Sequence, residues 1–547
     1  MNKKIIPVIS ALTLSLITPF ALSTTSISEV KAEEVVNDQV TLRVKNMGDY
    51  IYVHEEDGDA PDLIHQFETW MKENTKYKNV KVAYETTDTN ETLLTELQTG
   101  KAAYDLICPS EYMIQKMIRE DLIEKLDASY RDDILVDYDT YASKYVRSQL
   151  DNITSPDING KSVTLGEYAV GYMWGTLGLL FNPNYGNYDT LQLIKDMESW
   201  EVLWNSDYAG TISIKDSMRD TYAAALLREN KEALQQFRSQ YLAGELDYKE
   251  YNQKIQEIFD KVGDGDIKAV KKNLDDLKGN IFGLEVDSGK MDIVQKRIGI
   301  NLAWSGDAVY SMELGVENNI ELLYSIPLEG SNIWFDGWVM PKVARSDAQR
   351  EVAYYFLNFI SKPENAAQNM DYTGYSSFIG GDDILSLVQE WYDIRYSIAE
   401  EQNIDISEVS IDPSWEQVDL NYIFNPDFGT SSYVQNDDYI LYTDEYFYTV
   451  TDDSGESYSN VAVGGDFFCQ YPNFDTMVRC AVMKDYGSQN DAVVAMWEKF
   501  KTSSMPTWAI ILLAIEVALM AGLFLFFIIS KHLKLKLRQK RKLENQK

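Results

Sequence analysis

The sequence predicts a two-lobed α/β protein carried on a membrane by one helix at its C-terminal end. Three observations lead there. The chain has 547 residues, too many for one ordinary hydrophobic core. From Val40 onward, short apolar runs alternate with helical patterns at the spacing of α/β units on a largely parallel sheet. Trp508 to Ile529 is apolar apart from Glu516, long enough for a bilayer, which needs roughly 20 residues.

The elements follow in order. Thr41 to Val44 reads as a strand running into Asn46-Met-Gly-Asp-Tyr50. Leu63, Ile64, Phe67 and Trp70 recur at helical spacing between Pro61 and Lys72. A strand over Val80–Tyr84 precedes the capping stretch Thr89-Asn-Glu91 and a helix to Gln98. Tyr104 to Pro109 is a short buried strand, and Ser110 starts the next helix. Asp49, Tyr50 and Tyr112 thus fall at the carboxyl ends of strands, where open sheets bind ligands. Tyr168 to Asn182 is long, apolar and broken by Gly171, Gly175 and Gly178, as expected of a central strand passing between lobes. Ser199 to Trp204 opens a short helix; Gly210 to Asp216 is a strand, and a helix begins at Ser217.

Two stretches stand apart in composition. Residues 226–279 are charged and helical; residues 383–466 are acidic and rich in tyrosine, with Tyr433, Tyr439, Tyr442, Tyr446 and Tyr448 in strand-like alternation. Asp264-Gly-Asp266 and Asp452-Asp-Ser-Gly455 lack the spacing of a calcium-binding EF-hand and read as solvated turns.

Residues 1–32 read as a secretory signal: Lys3 and Lys4, an apolar run from Ile5 to Leu22, and Val30-Lys-Ala32 as cleavage site. The apolar span, set at 507–530, is followed by a basic tail, 531–547, with seven Lys and Arg between Lys531 and Lys542. The positive-inside rule keeps that tail cytoplasmic and the upstream chain outside, a single-pass cell-membrane topology. The formal net charge is −36 although both ends are basic, so the outer part is strongly acidic. Such a surface repels nucleic acid and attracts cations. Cys108 reads as buried; Cys469 and Cys480 have the option of pairing in an oxidising exterior.

Chemistry concentrates in Ser331 to Pro341, where Asp336 stands among Trp334, Phe335 and Trp338. Trp304 ends an apolar run just before Gly306, thirty residues upstream. Aromatic faces with a carboxylate suit an organic cation, the rings covering methylene or ammonium and the acid supplying a charge-assisted hydrogen bond. Catalysis has little to stand on. The three histidines, His54, His65 and His532, share no motif with Ser, Cys or a metal-ligand cluster, and no phosphate-binding or dinucleotide fingerprint is present. No enzyme, no metal and no cofactor are expected.

The ordered set Asn46-Met-Gly-Asp-Tyr50, Tyr104 to Tyr112, Tyr172-Met-Trp-Gly175, Trp200 to Trp204, Asp216 to Asp220, Trp304-Ser-Gly306, Trp334-Phe-Asp336, Ser361-Lys-Pro-Glu-Asn365 and Thr373-Gly-Tyr375 resembles the periplasmic-type polyamine-binding proteins, the spermidine/putrescine-binding subunits of ABC importers. Order and spacing hold from about residue 41 to 381 and more loosely from 469 to 501. The resemblance implies a periplasmic-binding-protein-like fold with a polyamine held in a cleft and ABC permease subunits as partners. It implies that the acids Asp49, Asp220 and Asp336 hold amino groups. It implies that the aromatics Tyr50, Tyr112, Trp304, Trp334 and Tyr375 flank the methylenes. Three positions depart from the family pattern: Met47 replaces a tryptophan, Ser217 an acid and Met483 a glutamine. Trp338, Asp307 and Asp216 are given structural roles.

The expected division is residues 33–175 and 336–381 in lobe 1, and 176–335 with 382–500 in lobe 2. Crossings are expected near Gly175, Asp336 and Gly381. The alternative is a tethered surface sensor or adhesin that uses the same fold for another cationic ligand, since fold does not fix function.

Overall fold

The computed structural model describes residues 35–53, 61–100, 103–451, 454–504 and Ile515. The signal 1–32, the basic tail 531–547 and, save Ile515, the span 507–530 lie outside the described residues. Among the described residues no helix is long and apolar enough to cross a membrane.

The chain divides into two compact units. The larger runs to Gly487 without Val262–Lys278; that segment and the residues from Ser488 form the smaller. In the smaller unit, helices Asp264–Leu277 and Asn490–Ser504 pack together, with the Lys278 ammonium 5.1 Å from the Phe500 ring centroid. Asp266 there accepts from the Gly263 amide at 3.0 Å, so the Asp-Gly-Asp stretch is a helix start.

The larger unit is built on β1 (Val40–Met47), β2 (Val80–Thr87) and β3 (Leu106–Ile107), then the short β4 (Ile123–Glu124) and the hairpin β5 (Thr154–Pro156) with β6 (Ser162–Thr164). After these come β7 (Ala169–Phe181), β8 (Ile212–Lys215), β9 (Ile281–Glu285), β10 (Ile300–Trp304), β11 (Leu323–Ser325) and β12 (Ser331–Pro341). The main sheet runs β2-β1-β3-β12-β7-β10-β8-β9. Its flanks are parallel, as the strand–helix alternation predicts, with β1 beside β2 and β3, and β8 beside β9 and β10. Its centre is not. β7 and β12 run antiparallel to each other, and each is antiparallel to the flank it joins.

Every residue of β7 and β12 is buried, so both read as apolar runs rather than alternating strands. β7 pairs near its start with β12 and near its end with β10 and β11, and so belongs to both halves of the sheet. The register between them slips at Asp336, between the pairs Phe335–Trp174 and Gly337–Gly171. Such a bulge re-aims a side chain out of the regular ladder. Gly175 lies opposite Trp334, and a Cβ there would collide with the Trp334 ring and the Ser305 hydroxyl.

The helical segment after residue 226 is present as Lys231–Leu242 and Tyr248–Phe259 in this unit, and Asp264–Leu277 in the other. The tyrosine-rich segment departs from the expected alternation. It holds helices Asp382–Tyr392, Ile394–Gln402 and Asn421–Phe424, with only short strand pairs, Glu416–Asp419 with Ile440–Thr443 and Thr449–Thr451 with Ser457–Ser459. Several of its rings serve as packing instead: Tyr422, Phe428 and Tyr433 pack in sequence beside Tyr145. The segment is fastened to both halves of the sheet, among other contacts. The Ser143 hydroxyl donates to the Ile423 carbonyl at 2.6 Å beside helix Lys144–Asp151, while Val463 and Gly464 extend β11. Cys108, Cys469 and Cys480 are all free and buried, so the optional pairing of Cys469 with Cys480 is not made.

Candidate functional site

Tyr50 follows β1, Ser110 follows β3, Lys215 closes β8 and Trp304 closes β10. All four stand at the carboxyl ends of parallel-paired strands, and the β12 bulge brings Asp336 among them. Asp336 is buried; its Oδ2 accepts from the Tyr50 hydroxyl at 2.7 Å, and its Oδ1 has no hydrogen-bond partner. Burial pushes this carboxyl up to about 6, with the negative Asp220 adding to the effect and the Ser110 and Tyr50 hydroxyls opposing it. Glu111 lies buried behind it, its Oε2 accepting from the Phe335 amide at 3.0 Å, and burial pushes it up to about 8. A buried carboxylate with an open oxygen is costly unless a cation meets it.

Tyr50, which holds Asp336, is joined through the Tyr375 ring to Trp334. Tyr375 follows a left-handed Gly374 at the end of helix Pro363–Thr373. Its ring meets Tyr50 edge-on at 5.2 Å and Trp334 at 5.4 Å between centroids. Gly306 makes room for it, because a Cβ there would fall inside the Tyr375 ring. Tyr50 is fixed from behind: the Tyr172 hydroxyl donates to its carbonyl at 2.7 Å.

A second group continues from Tyr375. Its hydroxyl donates to Asp307 Oδ1 at 2.8 Å, and Asp307 Oδ2 accepts from the Lys215 ammonium at 3.0 Å. That ammonium also meets Glu285 at 2.9 Å and the Val286 carbonyl at 3.0 Å, and stands 4.3 Å from the Trp304 ring centroid. Burial disfavours the charged Lys215, but Asp307 and Glu285 outweigh it and hold its pKa above the usual value. The Trp304 indole donates to Asp220 Oδ2 at 3.3 Å. Asp220 is buried in the first turn of helix Met218–Glu229, and burial raises its carboxyl above the usual range.

Of the eight residues singled out from sequence, Tyr50, Asp220, Trp304, Trp334, Asp336 and Tyr375 come together here, linked through Asp307 and Lys215. Tyr112 is buried, its hydroxyl accepting from Asn90 at 3.1 Å, but the Arg219 guanidinium covers its ring at 3.9 Å. Asp49 lies exposed on a turn with φ of 49°, where its charge acts on Lys290. Ser217 caps helix Met218–Glu229, Met47 is half-buried at the end of β1, and Met483 is buried. Trp338 is core, fully buried against Phe356 and Tyr172. Asp307, given a structural role from sequence, is buried and joins Tyr375 to Lys215. Lys215 went unnoticed in sequence; the available signal was a lysine closing an otherwise apolar strand, Ile-Ser-Ile-Lys.

A family model described as bacterial extracellular solute-binding protein matches residues 62–380. A spermidine/putrescine-binding periplasmic protein of Escherichia coli K12 is 25% identical over 343 residues, 62% of this chain and 78% of that protein. A putrescine-binding periplasmic protein of Pseudomonas aeruginosa is 25% identical over 346 residues, 61% of this chain and 77% of that one. Among solved structures, a putative spermidine/putrescine ABC transporter protein from Listeria monocytogenes shares the fold with a TM-score of 0.52 at 22% identity, covering 84% of this chain and 98% of that one.

Proposed function

The chain belongs to the bacterial extracellular solute-binding proteins, and on that premise we propose that it captures an organic amine of the polyamine class and hands it to the permease of an ABC importer. The observation that carries this reading is Asp336: a buried carboxylate with one oxygen unpartnered, beside the packed rings of Tyr50, Tyr375 and Trp334. An ammonium supplies the missing donor, and aromatic walls accept the methylenes beside it. The names of the relatives, which bind spermidine and putrescine, point to the same chemistry. In this reading Asp220 holds a second amine, Trp304 stands between the two groups, and Tyr112 and Asp49 lie at the margin. The apolar segment 507–530 tethers the binding unit outside the membrane, and the basic tail remains inside.

Calorimetric titration of the purified full chain with putrescine, spermidine and neutral amino acids tests the reading. Saturable binding of an amine and none of the amino acids is expected. Amino-acid binding with no response to either amine would refute it.

A further inference from the structure

The Lys215 ammonium sits where a ligand's ammonium would be at home. It has an aromatic face at 4.3 Å, two carboxylates at 2.9 and 3.0 Å and a carbonyl at 3.0 Å, and the side chain is wholly buried. This is the recognition pattern read above for a free amine: charge-assisted hydrogen bonds on one side and a π face on another. The place is also continuous with the candidate site. Asp307 shares its other oxygen with Tyr375, and the indole that faces Lys215 donates its N–H to Asp220.

We infer that Lys215 is a tethered ammonium occupying one cation place of the binding site, so that the ligand is a diamine and Lys215 excludes a third ammonium. This rests on the polyamine reading. Charge supports it. Lys215 takes up Asp307 and Glu285, and Arg219 lies between the Tyr112 and Tyr486 rings near Asp485. Among the described residues, Asp336 and Asp220 form no ion pair, although both are buried and close enough for one to raise the carboxyl of the other. Two buried carboxylates outside any ion pair match two ammonium groups. A third ammonium directed at the Trp304 face would meet Lys215 and repel it. A lysine that served only to fill and neutralise the core would have no effect on the order of preference among amines, because its charge would not compete with the ligand's.

The test is the ratio of putrescine to spermidine affinity in the full chain, measured by calorimetry for the wild type, Lys215→Met and Lys215→Arg. The wild type is expected to favour putrescine by at least tenfold. Lys215→Met frees Asp307, Glu285 and the Trp304 face, and should shift the ratio toward spermidine by at least tenfold, whereas Lys215→Arg, which keeps the cation, should leave it near the wild-type value. Should Lys215→Met fold only with ligand, refolding by spermidine and not by putrescine supports the assignment, and equal rescue or none overturns it. A wild type that prefers spermidine, or a folded Lys215→Met with an unchanged ratio, overturns this inference and leaves the polyamine reading standing. Failure of the wild type to bind either amine removes both.

Discussion

The Tyr50 hydroxyl donates to Asp336 Oδ2 at 2.7 Å across 286 positions of chain, joining the loop after β1 to the bulge of β12. One carboxylate oxygen is thereby fixed and the other is buried without a hydrogen-bond partner. Asp336→Asn keeps the shape and removes the charge. Amine affinity is expected to fall by about 2–5 kcal/mol, the scale for removing one partner of a buried charge pair. The ligand-free protein should melt at a higher temperature, because an uncompensated buried charge has gone. Titration and thermal unfolding of the same variant read both. Loss of stability together with unchanged affinity would make Asp336 a structural acid.

The same carboxyl sets a pH dependence. Its ordinary value is 3.8 and burial raises it to about 6, so between those values the folded state holds a proton that the unfolded state has released. Stability of the ligand-free protein from this group is therefore full on the acid side and lost as pH rises through about 6, by about 3 kcal/mol in all. Binding has the opposite sense, since an ammonium needs the anion. Affinity should fall about tenfold per pH unit below 6 and level off above it, with proton release near pH 6 visible as a buffer-dependent enthalpy. Among the groups facing Asp336, Tyr50 stays neutral through this range, as does Glu111, which is raised to about 8; Asp220, itself raised, adds to the shift. Constant affinity from pH 5 to 8 would contradict the assignment.

Ligand should stabilise the fold by mass action. At about 100 times its dissociation constant an amine adds roughly 2.7 kcal/mol, provided the unfolded chain does not bind it. Differential scanning calorimetry with and without putrescine measures this, and an unchanged melting temperature at saturation would argue that the amine does not engage the folded site.

Gly306→Ala places a methyl group inside the Tyr375 ring. Displacing that ring breaks its edge contacts with Tyr50 and Trp334 and its hydrogen bond to Asp307. A loss of about 1–3 kcal/mol of stability, the usual scale of overpacking, should accompany weakened amine binding. Chemical denaturation and calorimetry on the variant check the pair of effects.

Protease added to intact cells should shed the chain upstream of the apolar span and spare the basic tail, if residues 507–530 span the membrane with Lys531 onward inside. A tail epitope cleaved from outside would reverse the orientation.

The flanks of the sheet were legible because a strand and its neighbouring helix declare themselves within about 20 residues of sequence. The antiparallel centre was not, since β7 and β12 pair across about 160 positions, and no local pattern records the partner of a wholly apolar strand. The site divides in the same way. Asp336 and its rings announce themselves in one short stretch, whereas the role of Lys215 depends on Asp307, 92 positions away. A lysine in sequence reads as solvated until its counter-charges are located. The alternation of tyrosines after residue 430 reads as strand, but those rings pack on partners outside the run, Tyr433 on Phe428, Tyr439 on Phe424 and Tyr446 on Phe467 and Phe468.

The tyrosine-rich segment has one consequence beyond packing. Its middle, at Ile423, is held beside helix Lys144–Asp151 and its end, at Val463–Gly464, extends β11, while β7 and β12 carry the chain between the same two halves of the sheet. Any swing of one half about those two strands must therefore carry this third connection along or peel one of its attachments away. The length and stiffness of the segment then limit how wide the swing can be, as a chain limits a door.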